Sequence, residues 1–254
     1  MRIVIIGTGN TATVLGKKLR AAGHQIVQVV GRSAKAAHVL AEQLGAAYTT
    51  STQQLDQTAS LYIVAVTDAA IATVAATLSL HKKLVVHTAG SVSKEVLQAA
   101  SDRYGVLYPL QSLRKEMEQL PTIPLLIDAT NEEDLATINT LAASISPQVQ
   151  RADDEQRLKL HVAAVIVSNF TNHLYTLAER YCAEEQANFS LLHPLISQVA
   201  DRLQQASPAS SQTGPAIRRD EPTIQKHLEL LQPHGELKDL YAWFTQSIQR
   251  PKEI

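Results

Sequence analysis

The sequence of 254 residues has 45% hydrophobic and 19% charged residues, which is typical of a folded globular protein. Its 23 Lys and Arg residues are balanced by 24 Asp and Glu residues, which argues against general attraction to nucleic acid or to an anionic membrane. A single cysteine, Cys182, excludes an internal disulfide framework and a cysteine-rich zinc site.

The length exceeds a single domain of ~100–150 residues, so two domains are expected. The apolar run 3–6 is much shorter than a signal-peptide core of ~7–15 residues. No stretch reaches the ~18 apolar residues that a membrane-spanning helix needs. We therefore expect a cytoplasmic protein that takes neither nucleic acid nor a membrane as partner.

The first part of the chain alternates β-branched runs with amphipathic segments. The runs predict strands at 3–6, 25–30, 61–66, 84–86, 105–108 and 124–127. The segments between them predict helices at 11–22, 34–44, 69–80 and 93–104, followed by a helix at 131–145 and an edge strand at 148–150. This alternation is typical of a parallel sheet that is covered by helices on both faces.

The strand signal ends at Asp153. Residues 154–186 contain neither Pro nor Gly and predict one long helix, and further helices are predicted at 190–206, 221–231 and 236–249. Residues 207–215 have the composition of a loop. The sequence therefore predicts an α/β domain at 1–152 followed by a smaller, all-α domain at 153–254.

A glycine-rich motif directly follows the first strand and precedes the first helix. Gly7-Thr8-Gly9-Asn10-Thr11-Ala12 fits the pattern G-x-G-x-x-G/A. Gly7 permits a tight turn, Gly9 lets the backbone approach a pyrophosphate, and Ala12 lets the helix pack closely on the strand. The alternative is a glycine turn with a purely structural role. The strand–turn–helix context favours a Rossmann domain that binds a dinucleotide.

The end of the second strand indicates which dinucleotide is bound. NAD-binding proteins usually carry an acidic residue about 20 positions after the glycines, where it holds the ribose 2′-hydroxyl. Here the chain reads Arg32-Ser33-Ala34-Lys35, with no carboxylate. Arg32 and Ser33 are suited to a 2′-phosphate, so we predict NADP. The alternative is that Arg32 and Lys35 are solvated charges at a helix start.

Two further loops follow predicted strands, at the sheet edge where open α/β sheets bind ligands. Thr67 and Asp68 are expected near the cofactor, although Asp68 could instead cap a helix. His87, in His87-Thr88-Ala89-Gly90-Ser91, is expected to face the nicotinamide and to orient a substrate. The alternative for His87 is a buried structural histidine beside a glycine turn.

The second domain supplies further polar candidates. On the long predicted helix, His161, Ser168 and Asn172 lie on one line, with Asn169 and His173 beside it. Asn169 and His173 are predicted to contact substrate; they could instead bond neighbouring loops or face solvent. Arg218 is predicted to bind a carboxylate or phosphate, or else to form an ion pair with Asp220. Tyr108, Gln111 and His227 are weaker candidates.

Several motifs together resemble a known family. They are Ile6-Gly7-Thr8-Gly9-Asn10, His87-Thr88-Ala89-Gly90-Ser91, Tyr108-Pro109-Leu110-Gln111-Ser112, Asn169 to Tyr175, and Thr213 to Asp220. The chain resembles Rossmann-like NADP oxidoreductases with a C-terminal domain of unknown function. They are similar to 6-phosphogluconate dehydrogenases, β-hydroxyacid dehydrogenases and pyrroline-5-carboxylate reductases. The resemblance implies a helical domain of the 6-phosphogluconate dehydrogenase type, which usually forms a homodimer.

One departure from the related enzymes affects the expected chemistry. β-Hydroxyacid dehydrogenases carry a catalytic Lys four residues before an Asn on the first long helix of the second domain. Here Lys159 precedes Ala163 and His161 precedes Val165, so the pair is absent. The resemblance therefore favours a reductase of small carbonyl or imine compounds over a hydroxyacid dehydrogenase. The alternative is a non-catalytic NADP-binding module that signals cofactor state to a partner.

Overall fold

The computed structural model describes residues 1–117 and 121–250. The chain divides into two compact units, Met1–Ser168 (unit 1) and Asn169–Ile254 (unit 2). The first part of the helix predicted at 154–186, residues 154–168, belongs to unit 1, and its side chains bond to Tyr108 and to the segment 92–94 of that unit. Unit 1 therefore extends beyond residue 152.

Unit 1 is built on one sheet, which has eight strands in the part of the chain that is described. In chain order these strands are β1 (Arg2–Ile6), β2 (Gln25–Val30), β3 (Ala47–Thr49), β4 (Leu61–Val64), β5 (Leu84–His87), β6 (Tyr104–Pro109), β7 (Leu125–Ala129) and β8 (Val149–Arg151). Their spatial order is β3-β2-β1-β4-β5-β6-β7-β8. All neighbours are parallel except β6 and β7, which are antiparallel. This is a Rossmann-type sheet with two added strands.

Helices cover both faces of the sheet. They are α1 (Asn10–Ala21), α2 (Ala34–Leu44), α3 (Asp68–Ala75), α4 (Glu132–Ile145) and α5 (Asp154–Ala164). The core of the described residues divides into three clusters. The first includes residues of α1, α2 and α4, the second includes α3 residues, and the third includes residues of β6 and β7 with Leu160 of α5 packed against it. The central strands are buried on both faces, which explains why they read as continuous apolar runs.

Unit 2 is helical. A π-helical turn at Val165–Phe170, which contains the last residues of unit 1 and the first of unit 2, follows α5 directly and precedes α6 (Thr171–Glu184). The remaining helices are α7 (His193–Arg202), α8 (Pro215–Arg218), α9 (Glu221–Leu230) and α10 (Gly235–Gln249). The predicted fold class, a Rossmann domain followed by a helical region, is confirmed. No helix among the described residues is long and apolar enough to cross a membrane.

Some predicted elements differ from the structure. The helix predicted at 93–104 is wrong: only a 3₁₀ turn forms, at Lys94–Ala99. Ser101 ends this segment because its hydroxyl donates to the Lys83 carbonyl at 2.6 Å, and the chain then enters β6. The short edge strand β3 has too few buried residues to show as an apolar run. The predicted uninterrupted helix at 154–186 contains the π-helical turn.

Candidate functional site

The loop between β1 and α1 requires glycine at its first position. Gly7 has φ +129°, and a Cβ atom there would lie 2.1 Å from the Ala65 carbonyl oxygen. The Gly7 N–H donates to the Val30 carbonyl at 2.8 Å, which holds the loop against β2. A side chain at Gly7 would therefore separate β1 from the end of β4.

The N-terminus of α1 is open to a ligand. Gly9 is the N-cap residue and supplies no side chain to cap the helix, and the first turn has no acidic residue. A Cβ atom at Gly9 would meet nothing within 4 Å. The first turn of the helix therefore has no side-chain cap, and such an uncapped N-terminus, with its positive dipole end, fits the pyrophosphate of a dinucleotide.

A cleft of about 440 Å³ adjoins this loop. It is lined by Thr8, Thr13, Ser33, Lys35, Ala36, Val39, Leu40, Gln43 and Lys115. Ser33 is the N-cap of α2 and accepts a hydrogen bond from the Ala36 N–H at 3.3 Å, so its own hydroxyl proton can be donated into the cleft. Arg32 precedes Ser33 and is exposed. The cleft combines hydroxyl groups with positive charge and fits a phosphate-bearing ligand.

Lys115 was missed by the sequence analysis. It follows β6, whose carboxyl end lies at the same sheet edge as the glycine loop. The Lys115 N–H donates to the Asn10 Oδ1 at 3.3 Å, so this segment is bonded to the loop and its side chain lines the cleft. The signal that could have found Lys115 was its place after a strand of the sheet.

Asp68 and His87 occupy neighbouring strand ends. Asp68 is the first residue of α3, with Thr67 as N-cap, and it accepts a hydrogen bond from the Ser91 hydroxyl at 2.6 Å. His87 is fully buried, and its Nδ1 accepts from the Ala89 N–H at 3.2 Å. Its Nε2 has no hydrogen bond of good geometry, although the Ser93 backbone is near enough to affect its titration.

The His87 imidazole is uncharged near neutral pH. Burial lowers the pKa of His87 to about 4, and the charge of Arg157 also lowers it. The side chain of His87 has no exposed surface through which it could reach a substrate. This geometry favours the structural alternative for His87, namely support of the loop that contains Ala89, Gly90 and Ser91.

A tyrosine–histidine pair lies over the same loop. The Tyr108 hydroxyl and the His161 Nδ1 are 2.9 Å apart, and the two rings meet edge to face. Tyr108 is near the end of β6 and His161 is on α5. Burial raises the pKa of Tyr108, as does the charge of Asp68, whereas Arg157 lowers it. From the sequence, Tyr108 was predicted only as a weaker candidate and His161 as one of the polar residues along the long helix, and nothing local indicates that they meet.

Arg157 fixes α5 against the sheet. Its side chain is 1% exposed, and its Nη2 donates to the Val92 carbonyl at 2.5 Å and to Asp154 Oδ1 at 2.7 Å. Nearby, Lys94 forms an ion pair of 2.6 Å with the buried Asp128. Because Arg157 precedes His161 by one helical turn, these bonds anchor the part of α5 that carries His161.

The other predicted site residues belong to unit 2. Asn169 is exposed in the π-helical turn, and the exposed His173 on α6 has its Nε2 3.9 Å from Glu236 Oε1. Arg218 is exposed in α8, and its charge contributes to lowering the pKa of Asp220. The larger cause of that shift is bonding of Asp220, the N-cap of α9, to Thr223. No group of three His, Cys, Asp or Glu side chains in the described ranges could hold a metal ion.

Two family models match successive parts of the chain. Residues 2–91 match the family model "NADP oxidoreductase coenzyme F420-dependent", and residues 123–248 match a domain of unknown function, DUF2520. Among curated proteins none matches.

Solved structures cover nearly the whole chain. The structure of "putative NADP oxidoreductase BF3122" from Bacteroides fragilis is 39% identical, with 98% of this chain and 97% of that chain covered and a TM-score of 0.90. A 1-pyrroline-5-carboxylate reductase from Streptococcus pyogenes shares the fold at 18% identity, 98% coverage of both chains and a TM-score of 0.67. A reductive aminase from Aspergillus terreus, in complex with NADPH and ethyl-5-oxohexanoate, shares it at 17% identity, covering 97% and 94%, with a TM-score of 0.70.

The site and the fold define a dinucleotide-binding Rossmann protein with a helical second region. The chain belongs to the family of NADP oxidoreductases that carry a DUF2520 domain. The predicted family is therefore confirmed, and so is the predicted class of cofactor, NADP.

Proposed function

We propose that this protein is an NADPH-dependent reductase of a small carbonyl or imine compound. The observation that carries this proposal is the uncapped N-terminus of α1 beside a cleft lined by Ser33 and Lys35. The reductase character is supported by the family to which the chain belongs. The narrower substrate class is supported by the similar fold of a pyrroline-5-carboxylate reductase and a reductive aminase.

The cofactor would be held by residues of unit 1. The N–H groups of the loop Gly7–Ala12 would bind the pyrophosphate, and Thr67 and Asp68 would lie near the ribose. Arg32 and Ser33, with Lys35, would bind the 2′-phosphate. When bound, NADPH supplies the two electrons and one hydrogen that a carbonyl or imine carbon takes up on reduction.

On the substrate side, we propose roles for Asn169, His173 and Arg218. The exposed guanidinium of Arg218 can bind an anionic group by two parallel hydrogen bonds, and Asn169 and His173 supply polar groups for the remainder of a small molecule. We expect Asn169→Ala to lower turnover and to leave the NADPH affinity within a few-fold of its original value.

Direct titration tests the cofactor assignment. NADPH should bind at least tenfold more tightly than NADH, about 1.4 kcal/mol, when each is titrated by fluorescence. Arg32→Asp should reverse the preference because it replaces a phosphate ligand with a carboxylate that suits the ribose 2′-hydroxyl. Lys82→Asp is the matched control, since Lys82 is an exposed cation before β5, at the opposite edge of the sheet. Equal affinities for both cofactors would contradict the role of Arg32.

Turnover distinguishes a reductase from a binding module. Oxidation of NADPH is followed with 1-pyrroline-5-carboxylate as a cyclic imine and with ethyl 5-oxohexanoate as a ketone. Reduction of either compound supports the proposed function. Tight NADPH binding with no reduction of either would instead favour a non-catalytic NADP-binding module.

We also propose that the protein acts in the cytoplasm as a homodimer formed through its helical region. Helix α7 supports this assembly, because Leu195, Val199 and its C-cap residue Leu203 are each about half exposed and recur every four residues. Such an apolar stripe is commonly covered by a second copy in a symmetric dimer.

A further inference from the structure

We propose that His161 is the proton donor of the reductase and that Tyr108 is its positioning residue. The proposal rests on the proposed function, and it assigns to unit 1 a catalytic group that lies outside the predicted set His87, Asn169, His173 and Arg218. It is carried by the contact of 2.9 Å between the Tyr108 hydroxyl and the His161 Nδ1.

The pair lies where this type of sheet binds its ligands. Tyr108 is near the carboxyl end of β6, and the loop beneath the pair follows the carboxyl end of β5. Open α/β sheets bind their ligands beyond the carboxyl ends of their strands. Tyr108 is 9% exposed, whereas His161 is partly exposed, so the imidazole is the member of the pair with access to solvent and to a small molecule.

Gly90 makes room for the pair. A Cβ atom at Gly90 would lie 2.8 Å from both Cγ and Nδ1 of His161 and 2.8 Å from Cζ of Tyr108. A side chain there would press on both rings at the atoms next to their hydrogen bond. The close approach of the two rings therefore explains why the residue at the centre of the loop between His87 and Val92 is a glycine.

The hydrogen bond determines which nitrogen of His161 can give a proton away. When the imidazole is protonated, its Nδ1–H donates to the Tyr108 oxygen, and the Nε2–H remains for a second partner. Loss of the Nε2 proton then leaves a neutral imidazole that still donates from Nδ1 to Tyr108. The phenol remains un-ionised throughout, because burial raises its pKa.

The proposed reduction needs only the substrate, the reduced cofactor and the proton from His161. The substrate carbon gains a C–H bond from the reduced cofactor, and the π electrons of the C=O or C=N bond become a lone pair on the heteroatom. That lone pair takes the Nε2 proton of His161, which gives an alcohol or an amine. His161 regains a proton from solvent, to which its ring is partly exposed.

The charges that act on the pair come from two elements, α3 and α5. Asp68 on α3 and Arg157 on α5 act on Tyr108 with opposite signs, and Tyr108 on β6 contacts His161 directly. Since the donor must be protonated, kcat/KM should fall as the pH rises.

Variants of both members test the proposal with the better of the two compounds named above. His161→Asn should lower kcat/KM about 100-fold and abolish its decrease at high pH. Tyr108→Phe should lower kcat about tenfold and shift the midpoint of the pH profile, and Gly90→Ala should have a similar effect while keeping both rings. The Kd for NADPH, measured by fluorescence, should stay within twofold in every variant.

Matched controls separate chemistry from structure. His38→Asn alters an exposed histidine that meets Tyr48 edge to face, and Tyr104→Phe removes a buried hydroxyl from the same strand as Tyr108. Both should keep the wild-type pH profile. Added imidazole should restore part of the turnover of His161→Ala, an effect that a purely structural role would not produce.

The outcomes distinguish the two proposals. If neither compound is reduced by the wild-type protein, the proposed function and the donor both fail. If the wild-type protein turns over and His161→Asn keeps its rate and pH profile, the donor is overturned while the reductase stands. If His161→Asn does not fold, Gly90→Ala is used as the test instead. An unchanged rate and pH profile in Gly90→Ala would then overturn the proposal.

Discussion

At the scale of single residues, two histidines of unit 1 have opposite environments. His87 has no exposed surface and bonds to the backbone of its own loop, whereas His161 is partly exposed and bonds to a tyrosine hydroxyl. Both were visible as polar residues in apolar surroundings in the sequence. The environments differ because His87 is buried, and a neutral imidazole costs less free energy to bury than a charged one.

The pH dependence of stability tests the environment of His87. Its pKa is lowered from 6.5 to about 4, so the unfolded chain takes up a proton at a higher pH than the folded chain. The contribution of neutral, buried His87 to the free energy of unfolding is complete above pH 6.5 and is lost progressively as the pH falls toward 4. This contribution amounts to about 3 kcal/mol. The free energy of unfolding, measured in urea, should therefore differ less between pH 7 and pH 4.5 in His87→Asn than in the wild-type protein.

The exposed His38 provides the control for this measurement. His38→Asn should keep the wild-type difference in stability between the two pH values, since folding leaves the His38 side chain exposed. An unchanged pH dependence in His87→Asn would show that His87 is accessible to protonation in the folded protein.

The glycine loop was predictable from the sequence, but the Tyr108–His161 pair was not. Gly7, Gly9 and Ala12 act through the local backbone geometry of one turn, so their spacing in the sequence is enough to identify that turn. Tyr108 and His161 are separated by 53 residues, and their meeting depends on how α5 packs. A single sequence carries no local signal for such a contact.

At the scale of elements, prediction succeeded where the local signals agree. Helix α2 begins and ends at the predicted residues 34 and 44, since Ser33 caps its start and Gly45 adopts the left-handed conformation that ends it. The segment 93–104 has apolar residues at helical spacing, yet it forms only a 3₁₀ turn because the chain must return to the sheet at Tyr104. Tertiary constraints override the weak propensity there.

The start of α5 provides a test at this scale. Asp153 accepts from the Gln156 N–H at 2.8 Å, and the Gln156 side chain accepts from the Asp153 N–H at 3.3 Å. Asp153→Ala should lower the free energy of unfolding by about 1 kcal/mol in urea denaturation, because this capping box is lost.

Two matched variants check the cap. Asp153→Asn should retain most of the stability, since Asn is an equally good N-cap. Glu155→Ala removes an exposed carboxylate from the same turn, together with its surface ion pair to Lys159, and should cost less than the loss of the cap. Equal losses for Asp153→Ala and Glu155→Ala would argue for a charge effect.

At the scale of the whole molecule, the two compact units differ in how well they bury their apolar residues. The sheet of unit 1 has fully buried central strands, whereas α7 of unit 2 has no buried residue. The expected homodimer implies an exposed apolar surface somewhere on unit 2. It could not be located on a particular helix, because the sequence does not show which apolar faces pack within the unit.

Sedimentation tests the proposed homodimer. The wild-type protein should sediment as a dimer at micromolar concentration, and the double substitution Leu195→Glu with Val199→Glu should shift it to a monomer by placing charge on the apolar stripe of α7. Ser197→Glu adds a charge to another face of the same helix and should remain dimeric. A monomeric wild-type protein would count against the assembly.

The reversal of chain direction between β6 and β7 allows the connection between these two strands to vary among proteins with this fold. Because the two strands are antiparallel neighbours, the chain leaves β6 at Pro109 and re-enters the sheet at Leu125 on the same edge. The connection between them, which brings Lys115 to the cleft, can therefore change in length or composition while the strand register stays intact. Exchanging this connection between homologues offers a modular route to new ligand preferences on an unchanged scaffold.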